Sequence, residues 1–187
     1  MNGLHRWYCR SGLWKAALRK RILPWALEGA ELGEAILEVG PGPGLTTDML
    51  RRQYRQIASV EIDRQLAASL GRRLAGTHVS VATGDATALP FADRSFSGAV
   101  SFTMLHHVPS PALQDRLLAE VYRVLLPGSL FVGTDSRWSA LFQLVHLRDT
   151  LVIVDPDTFG ARLAAVGFTD VSVDVAKRAF RFRARRA

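Results

Sequence analysis

Three carboxylates and three histidines draw attention by the company they keep. Glu38 stands just before Gly40-Pro41-Gly42-Pro43-Gly44, Glu61 lies in Val60-Glu61-Ile62-Asp63, and Asp85 sits between Gly84 and Ala86. His106 and His107 are adjacent in Leu105-His106-His107-Val108, and His146 follows much later. A glycine loop that holds a pyrophosphate does so through backbone N–H groups aimed at the anion. Pro41 and Pro43 have no such hydrogen, and a carboxylate at the loop's mouth repels phosphate and attracts an ammonium or sulfonium. The loop therefore reads as built for a cation. The prolines press Gly40 and Gly42 towards extended geometry, and the bare glycines let a ligand lie against the backbone. Glu61 falls about twenty residues past the first glycine, where a ribose-binding acid belongs. Asp85, on a short turn, can accept a hydrogen bond from an exocyclic amine. Together the acids outline a pocket for an amino acid joined to a nucleoside through a cationic centre.

These residues need elements to hold them. Short apolar runs predict strands over 35–39, 57–62, 78–83 and 96–102, then 129–134, 171–175 and 178–185. Helical spacing of apolar residues fills 46–54, 64–74, 110–125 and 155–167. Ser110-Pro111 and Asp155-Pro156 read as N-cap and first-turn pairs, the Pro127-Gly128 turn ends the helix before it, and Gly167 suits a left-handed C-terminal position. Strands separated by helices imply right-handed crossovers and a mostly parallel sheet covered on both faces. No helix fits between Val175 and Arg178, so the last two strands form a hairpin and one runs antiparallel. The expected fold class is α/β, a Rossmann-like, doubly wound, three-layer arrangement. In such sheets ligands bind beyond the strands' carboxyl ends, where the winding reverses, and the first strand feeds that point. Residues 11–22 predict an amphipathic helix with Trp14, Leu18 and Ile22 on one stripe, ended or kinked by Pro24.

Length and composition limit the class. The chain has 187 residues, 48% hydrophobic and 22% charged, the profile of one globular domain large enough for a sizeable core. No apolar run approaches the roughly 20 residues of a membrane span, and the basic N-terminus lacks a signal peptide's apolar core. A cytoplasmic location is expected, and the single cysteine, Cys9, agrees with a reducing compartment. The net charge of +7 is unevenly placed. All 17 acids lie between Glu28 and Asp174 with 12 of the 24 cations, so this stretch carries −5 and the two ends carry +12. Such ends could meet an anionic substrate, nucleic acid or a membrane surface; two solvated faces explain them as well.

Taken in order, Val-Gly-Pro-Gly-Pro-Gly, Val-Glu-Ile-Asp, Gly-Asp-Ala-Thr-Ala-Leu-Pro-Phe-Ala-Asp-Arg-Ser-Phe, Leu-His-His-Val and Val-Tyr-Arg-Val-Leu-Leu-Pro-Gly-Ser resemble class I S-adenosylmethionine-dependent methyltransferases. The resemblance is to the type-11 small-molecule branch that includes quinone-biosynthesis enzymes, and it covers residues 35–134. It implies a seven-stranded sheet with the last strand antiparallel, and S-adenosylmethionine as methyl donor. It also implies positions: Glu38, Gly40, Pro41, Gly42 and Gly44 at the methionine moiety, Glu61 and Ile62 at the ribose, Asp85 and Ala86 at the adenine, and Phe102 and Thr103 near the sulfonium. Residues 1–187 then form one methyltransferase domain, with 1–30 as a helical lid and 136–155 as a short substrate-side insertion. The Gly-Pro-Gly and Val-Glu-Ile-Asp stretches also resemble ribosomal-RNA adenine dimethylases. Those enzymes carry an Asn/Asp-Pro-Pro-Tyr-like motif after the fourth strand, whereas Ser101-Phe102-Thr103-Met104 stands here.

The expected function is in-line methyl transfer to a small-molecule acceptor, with an anionic acceptor compatible and either a monomer or a homodimer allowed. Orientation in a dry pocket supplies most of such an acceleration. Where the acceptor is a hydroxyl, His106 or His107 is the candidate base; adjacent side chains point apart, so only one should face the site, and the pair could instead serve packing and capping. His146 is a further catalytic candidate. Tyr8, Trp138, Phe142 and His146 are the candidate acceptor contacts, on two segments able to close over the ligand. No His, Cys or carboxylate group has metal-ligand spacing, so no metal is expected. Three alternatives remain: an RNA-directed methylase or nucleic-acid-binding protein using the basic termini, a nicotinamide-dependent oxidoreductase, which Glu38 and the prolines oppose, and an idle domain that keeps the pocket.

Overall fold

The structure is a computed structural model and describes residues 11–147 and 149–187. Ser11 caps the first helix, α1 (Gly12–Ala17), accepting from the Trp14 N–H. The chain then makes a π-helical turn over Leu18–Ile22 and continues as α2 (Leu23–Leu27). Pro24 therefore does not end the helix: the wider turn, in which the Leu23 N–H reaches the Leu18 carbonyl, takes up the crowding that a proline ring brings to the preceding turn. There follow β1 (Ala35–Val39), α3 (Leu45–Leu50), β2 (Gln56–Glu61), α4 (Arg64–Arg73), β3 (Val79–Thr83) and β4 (Phe96–Phe102). After a 3-10 turn at Leu105–His107 come α5 (Pro111–Val124), β5 (Leu125–Ser136), α6 (Ala140–Val145), α7 (Pro156–Val166), β6 (Phe168–Val175) and β7 (Ala179–Arg186).

The strands form one seven-stranded sheet in the order β3-β2-β1-β4-β5-β7-β6. β1 pairs in parallel with β2 and β4, and β7 runs antiparallel to both its neighbours. Successive residues of a strand face opposite sides, so each strand feeds two cores. Leu37, Ala99 and Phe131 pack with Leu117, Val121 and Phe159 of α5 and α7. Ile36, Val100 and Val132 pack on the other face with Leu18 of the π turn and Leu23, Leu50 and Leu70 of α2, α3 and α4. The expected three-layer, doubly wound sheet is the fold observed.

Several boundaries differ from the sequence pattern. α3 stops at Leu50 because the next turn tightens, the N–H groups of Arg52 and Gln53 bonding three residues back to Met49 and Leu50. β5 starts at Leu125, which pairs with Phe96, and the Pro127-Gly128 turn is looped out of a strand that resumes pairing at Leu130 opposite Gly98. The caps at Ser110 and Asp155 form as read, and Gly167 closes α7 at φ 114°.

Candidate active site

The switch point lies between β1 and β4, and the loop after β1 shapes it. The loop's three glycine N–H groups are all taken up within the protein. Gly40 donates to the Val60 carbonyl, Gly42 to Glu61 Oε2 and Gly44 to the Pro41 carbonyl, each at 2.9 Å. Pro41 and Pro43 have none to offer, so no donor between 40 and 44 is left for a phosphate. The glycines before the prolines do not take the expected extended φ; Gly40 and Gly42 have φ of 69° and 55°, a region that a side chain makes costly. Their purposes differ. A Cβ at Gly40 would collide with the Met104 side chain, whereas one at Gly42 would meet nothing within 4 Å. Only Gly42 leaves the bare approach expected of both.

Glu38 is not at the mouth. It is 1% exposed, absent from the pocket wall, and its carboxylate accepts from the hydroxyls of Thr46 (2.5 Å), Thr47 (2.6 Å) and Ser59 (2.9 Å). Ser59 is its register partner on β2, and Thr46 and Thr47 begin α3. Glu38 thus ties the loop's two ends together from behind. Burial pushes its carboxyl above the ordinary value, although the three hydroxyls pull the other way.

In front lies a cavity of about 1070 Å³, large for a small-molecule site. Glu61, Ile62, Asp63, Asp85 and Ala86 line its β2–β3 side. Glu61 is 7% exposed, and its second oxygen, Oε1, accepts from the Asp63 N–H at 2.9 Å. Burial raises its carboxyl too. Ile62 is 69% exposed, an apolar face turned to the cavity edge. Asp85 Oδ1 accepts from the Thr87 N–H at 2.8 Å, which fixes the turn after β3.

Phe102, Thr103 and Met104 form the cavity floor after β4, with Thr103 at φ 50° and its N–H on the Thr134 carbonyl. Beyond them the 3-10 turn changes what adjacent residues can do. His106 and His107 do not point apart; their rings lie 4.2 Å apart between centroids and both line the cavity. Phe142 and His146, on and just after α6, complete the cluster, the His146 ring 5.0 Å from His106 and 5.3 Å from His107. His106 Nδ1 lies 2.5 Å from Asp135 Oδ1, and the His106 N–H donates to Oδ2 of the same carboxylate at 3.0 Å. Asp135 is fully buried at the end of β5. Sequence reasoning missed it; the available signal was an acid closing an apolar strand at the same sheet end as the other site residues. Trp138 is not where it was expected: it is 62% exposed and outside the cavity wall, because α6 starts only at Ala140, beyond the Ser139 cap. Tyr8, with Cys9, lies outside the described residues.

Acids and cations both line the cavity: Glu61, Asp63 and Asp85 on the β2–β3 side, Asp149 after α6, Arg21 on the π turn, and Arg137 and Arg178 just after β5 and just before β7. Trp14, Ala17, Leu18 and Ile22 also line it, so α1 and the π turn lie over the opening.

Residues 37–133 match the family model described as a methyltransferase domain. An uncharacterized methyltransferase of Mycobacterium sp. (strain KMS) is 34% identical over 128 residues, 68% of this chain and 48% of the relative. A ubiquinone/menaquinone biosynthesis C-methyltransferase of Desulfotalea psychrophila is 31% identical over 103 residues, 54% of this chain and 41% of the relative. The chain therefore spans about half the length of these curated relatives or less. A solved SAM-dependent methyltransferase from Aquifex aeolicus superposes with a TM-score of 0.77 at 16% identity, each chain covering 100% of the other, a likeness of fold. With a glycine loop whose donors are all committed at the switch point, an acid on β2 and the family match over the same strands, the chain belongs to the methyltransferase-domain family.

Proposed function

We propose that the chain moves a methyl group from S-adenosylmethionine to a small anionic acceptor. The observation that carries the choice of cosubstrate is the loop: every N–H from Gly40 to Gly44 is committed within the protein, so a pyrophosphate gains nothing there, whereas an uncharged ribose and a sulfonium need no such donors. S-adenosylmethionine supplies an electrophilic methyl on a positively charged sulfur. The residues fit it. Glu61 can accept from ribose hydroxyls with lone pairs not engaged by Gly42 and Asp63, Ile62 and Ala86 offer apolar faces to a base, and Asp85 can take an exocyclic amine proton. Gly42 has the open space that lets the ligand lie on the backbone.

The acceptor side is argued from charge. Arg21, Arg137 and Arg178 all line the cavity, which suits a carboxylate, phosphate or phenolate. Apolar walls from Phe102, Met104 and Phe142 exclude water and hold the reacting partners in line. His106, His107 and His146 line the same cavity and can serve a hydroxyl or thiol acceptor, as a proton acceptor or through a bound ion. An RNA acceptor is less well served: of the basic C-terminal strand, Arg181 pairs with Glu28 and Asp174, Arg183 bonds the Glu28 and Gly29 carbonyls, and Arg185 pairs with Asp170. Arg181 and Arg185 are thus paired with carboxylates, and Arg183 is held by main-chain carbonyls within the fold.

Isothermal titration tests the reading. S-adenosylhomocysteine should bind the wild type at micromolar Kd, and Glu61→Ala should weaken it by about 10- to 100-fold, the worth of a charged hydrogen-bond acceptor. Tight NADH binding with no S-adenosylhomocysteine binding would overturn it.

A further inference from the structure

We infer that His106, His107 and His146 form a binding site for one divalent transition-metal ion of the zinc class, on the acceptor side of the cavity. One ring nitrogen from each of the three lies within 4.8 Å of the others. The orientation of the rings matters more than their proximity. In each ring Nδ1 faces an acceptor: His106 Nδ1 meets the Asp135 carboxylate at 2.5 Å, His107 Nδ1 the Thr150 carbonyl at 3.3 Å, and His146 Nδ1 the Phe142 carbonyl at 2.8 Å. An imidazole that donates from Nδ1 is in the tautomer whose Nε2 carries a lone pair. Rings so fixed leave Nε2 as the nitrogen able to ligate, and all three belong to the cluster whose ligand nitrogens lie within 4.8 Å of one another. Lone pairs do not attract, and among the described residues nothing donates to the buried Nε2 of His106. A cation at the centre satisfies the arrangement. Carboxylate or carbonyl on one nitrogen and metal on the other is the pattern by which proteins orient histidine ligands.

The chemistry of the donor set selects the ion. Imidazole suits zinc, cobalt, nickel, copper and iron, while magnesium and calcium ask for oxygens. Three neutral histidines with a fourth position open is a coordination set used by catalytic zinc. With bonds of about 2.0–2.1 Å the three nitrogens must draw in to roughly 3.3 Å of one another. His107 is half-buried and His146 stands at the C-cap of a six-residue helix, so side-chain rotation can close the gap. Sequence spacing conceals the site because two ligands are neighbours and the third comes from another element; the 3-10 turn at Leu105–His107 is what turns both neighbours the same way. The open position faces the cavity, so the ion would take an acceptor through a hydroxyl, thiol or carboxylate oxygen. This last step rests on the proposed methyl transfer; binding of the ion does not.

The test uses the untagged full-length chain, stripped with chelator and titrated with Co2+ under visible spectroscopy, then with Zn2+ in competition. One equivalent of Co2+ should give ligand-field bands of a four- or five-coordinate nitrogen site, and Zn2+ should displace it. His107→Ala and His146→Asn should each weaken binding by 100-fold or more, and Asp135→Asn, which reorients His106, by about 10- to 100-fold. Substoichiometric binding, or binding that both histidine variants leave unchanged, overturns the site. Circular dichroism and S-adenosylhomocysteine titration on the same variants report folding and the nucleoside side separately. Metal binding without S-adenosylhomocysteine binding would defeat the proposed function and leave the metal site standing; the reverse would do the opposite.

Discussion

At the scale of single residues, Glu38 shows how one acid can be right in type and wrong in direction. Its position before the glycines is readable, but the strand's period of two puts it on the side of Ile36, against α3, and its three hydroxyl partners come from loci that no local pattern connects. A buried carboxyl whose pKa is raised in the fold holds its proton longer in the native than in the unfolded chain. Its contribution is therefore fully present below the ordinary value of 4.5 and declines as pH rises through the raised value. Glu38→Gln removes the titration and keeps the shape. Chemical denaturation of both proteins from pH 4 to 8 should show the wild type losing stability relative to Glu38→Gln as pH rises, at no more than about 1.4 kcal/mol per pH unit. A difference that stays flat, or that grows in favour of wild type, would show that the three hydroxyls outweigh burial. The place of Glu61 on the cavity wall was legible for the opposite reason: it depends on distance along the chain from the loop, which the alternation of strand and helix fixes.

Elements explain what the basic ends are for. β7 lies between β5 and β6, and its outward arginines reach back to the helix that covers the cavity. Arg181 donates to the Trp25 carbonyl at 2.6 Å and to Glu28 at 2.8 Å, pairs with Asp174 at 2.8 Å, and stacks 5.4 Å from the Trp25 ring centroid. The C-terminal strand therefore anchors α2, and through it the π turn and α1 that line the opening. Arg181→Ala should cost about 1–2 kcal/mol, more than an exposed ion pair because the part-buried Trp25 carbonyl also loses its donor. Hydrogen exchange should quicken over residues 18–27 while β1 and β4 stay protected; equal loss of protection in all of them would show global rather than local loosening. Alternation, caps and the closing hairpin could be read from sequence because each has a local cause. The anchoring could not, since Arg181 and Glu28 lie 153 residues apart, and a run of alternating Phe and Arg reads equally as a solvated strand.

For the molecule as a whole, both signs of charge meet at the cavity. The acidic middle supplies Glu61, Asp63, Asp85 and Asp149 as well as Arg137, and the two basic ends supply Arg21 and Arg178. Of the cations at the two ends, Arg21 and Arg178 line the cavity, and Arg181, Arg183 and Arg185 form the internal clamps. A ligand that fills the cavity touches α1, the loop after β1 and the ends of β2 to β5 at once, and so couples to unfolding of the entire sheet. Anything that binds only the native state stabilises it by about 2.7 kcal/mol at roughly a hundredfold its Kd, and for a chain of this size each kcal/mol moves Tm by about 2–4 °C. S-adenosylhomocysteine at that concentration should thus raise Tm by about 5–11 °C in differential scanning fluorimetry. NADH at the same concentration should leave Tm unmoved, because the loop has no N–H for its pyrophosphate and Glu61 and Asp63 oppose the charge. The comparison separates cosubstrate selection by electrostatics from mere filling of a large apolar space: if both ligands raised Tm alike, cavity volume and not the committed donors would be choosing the ligand.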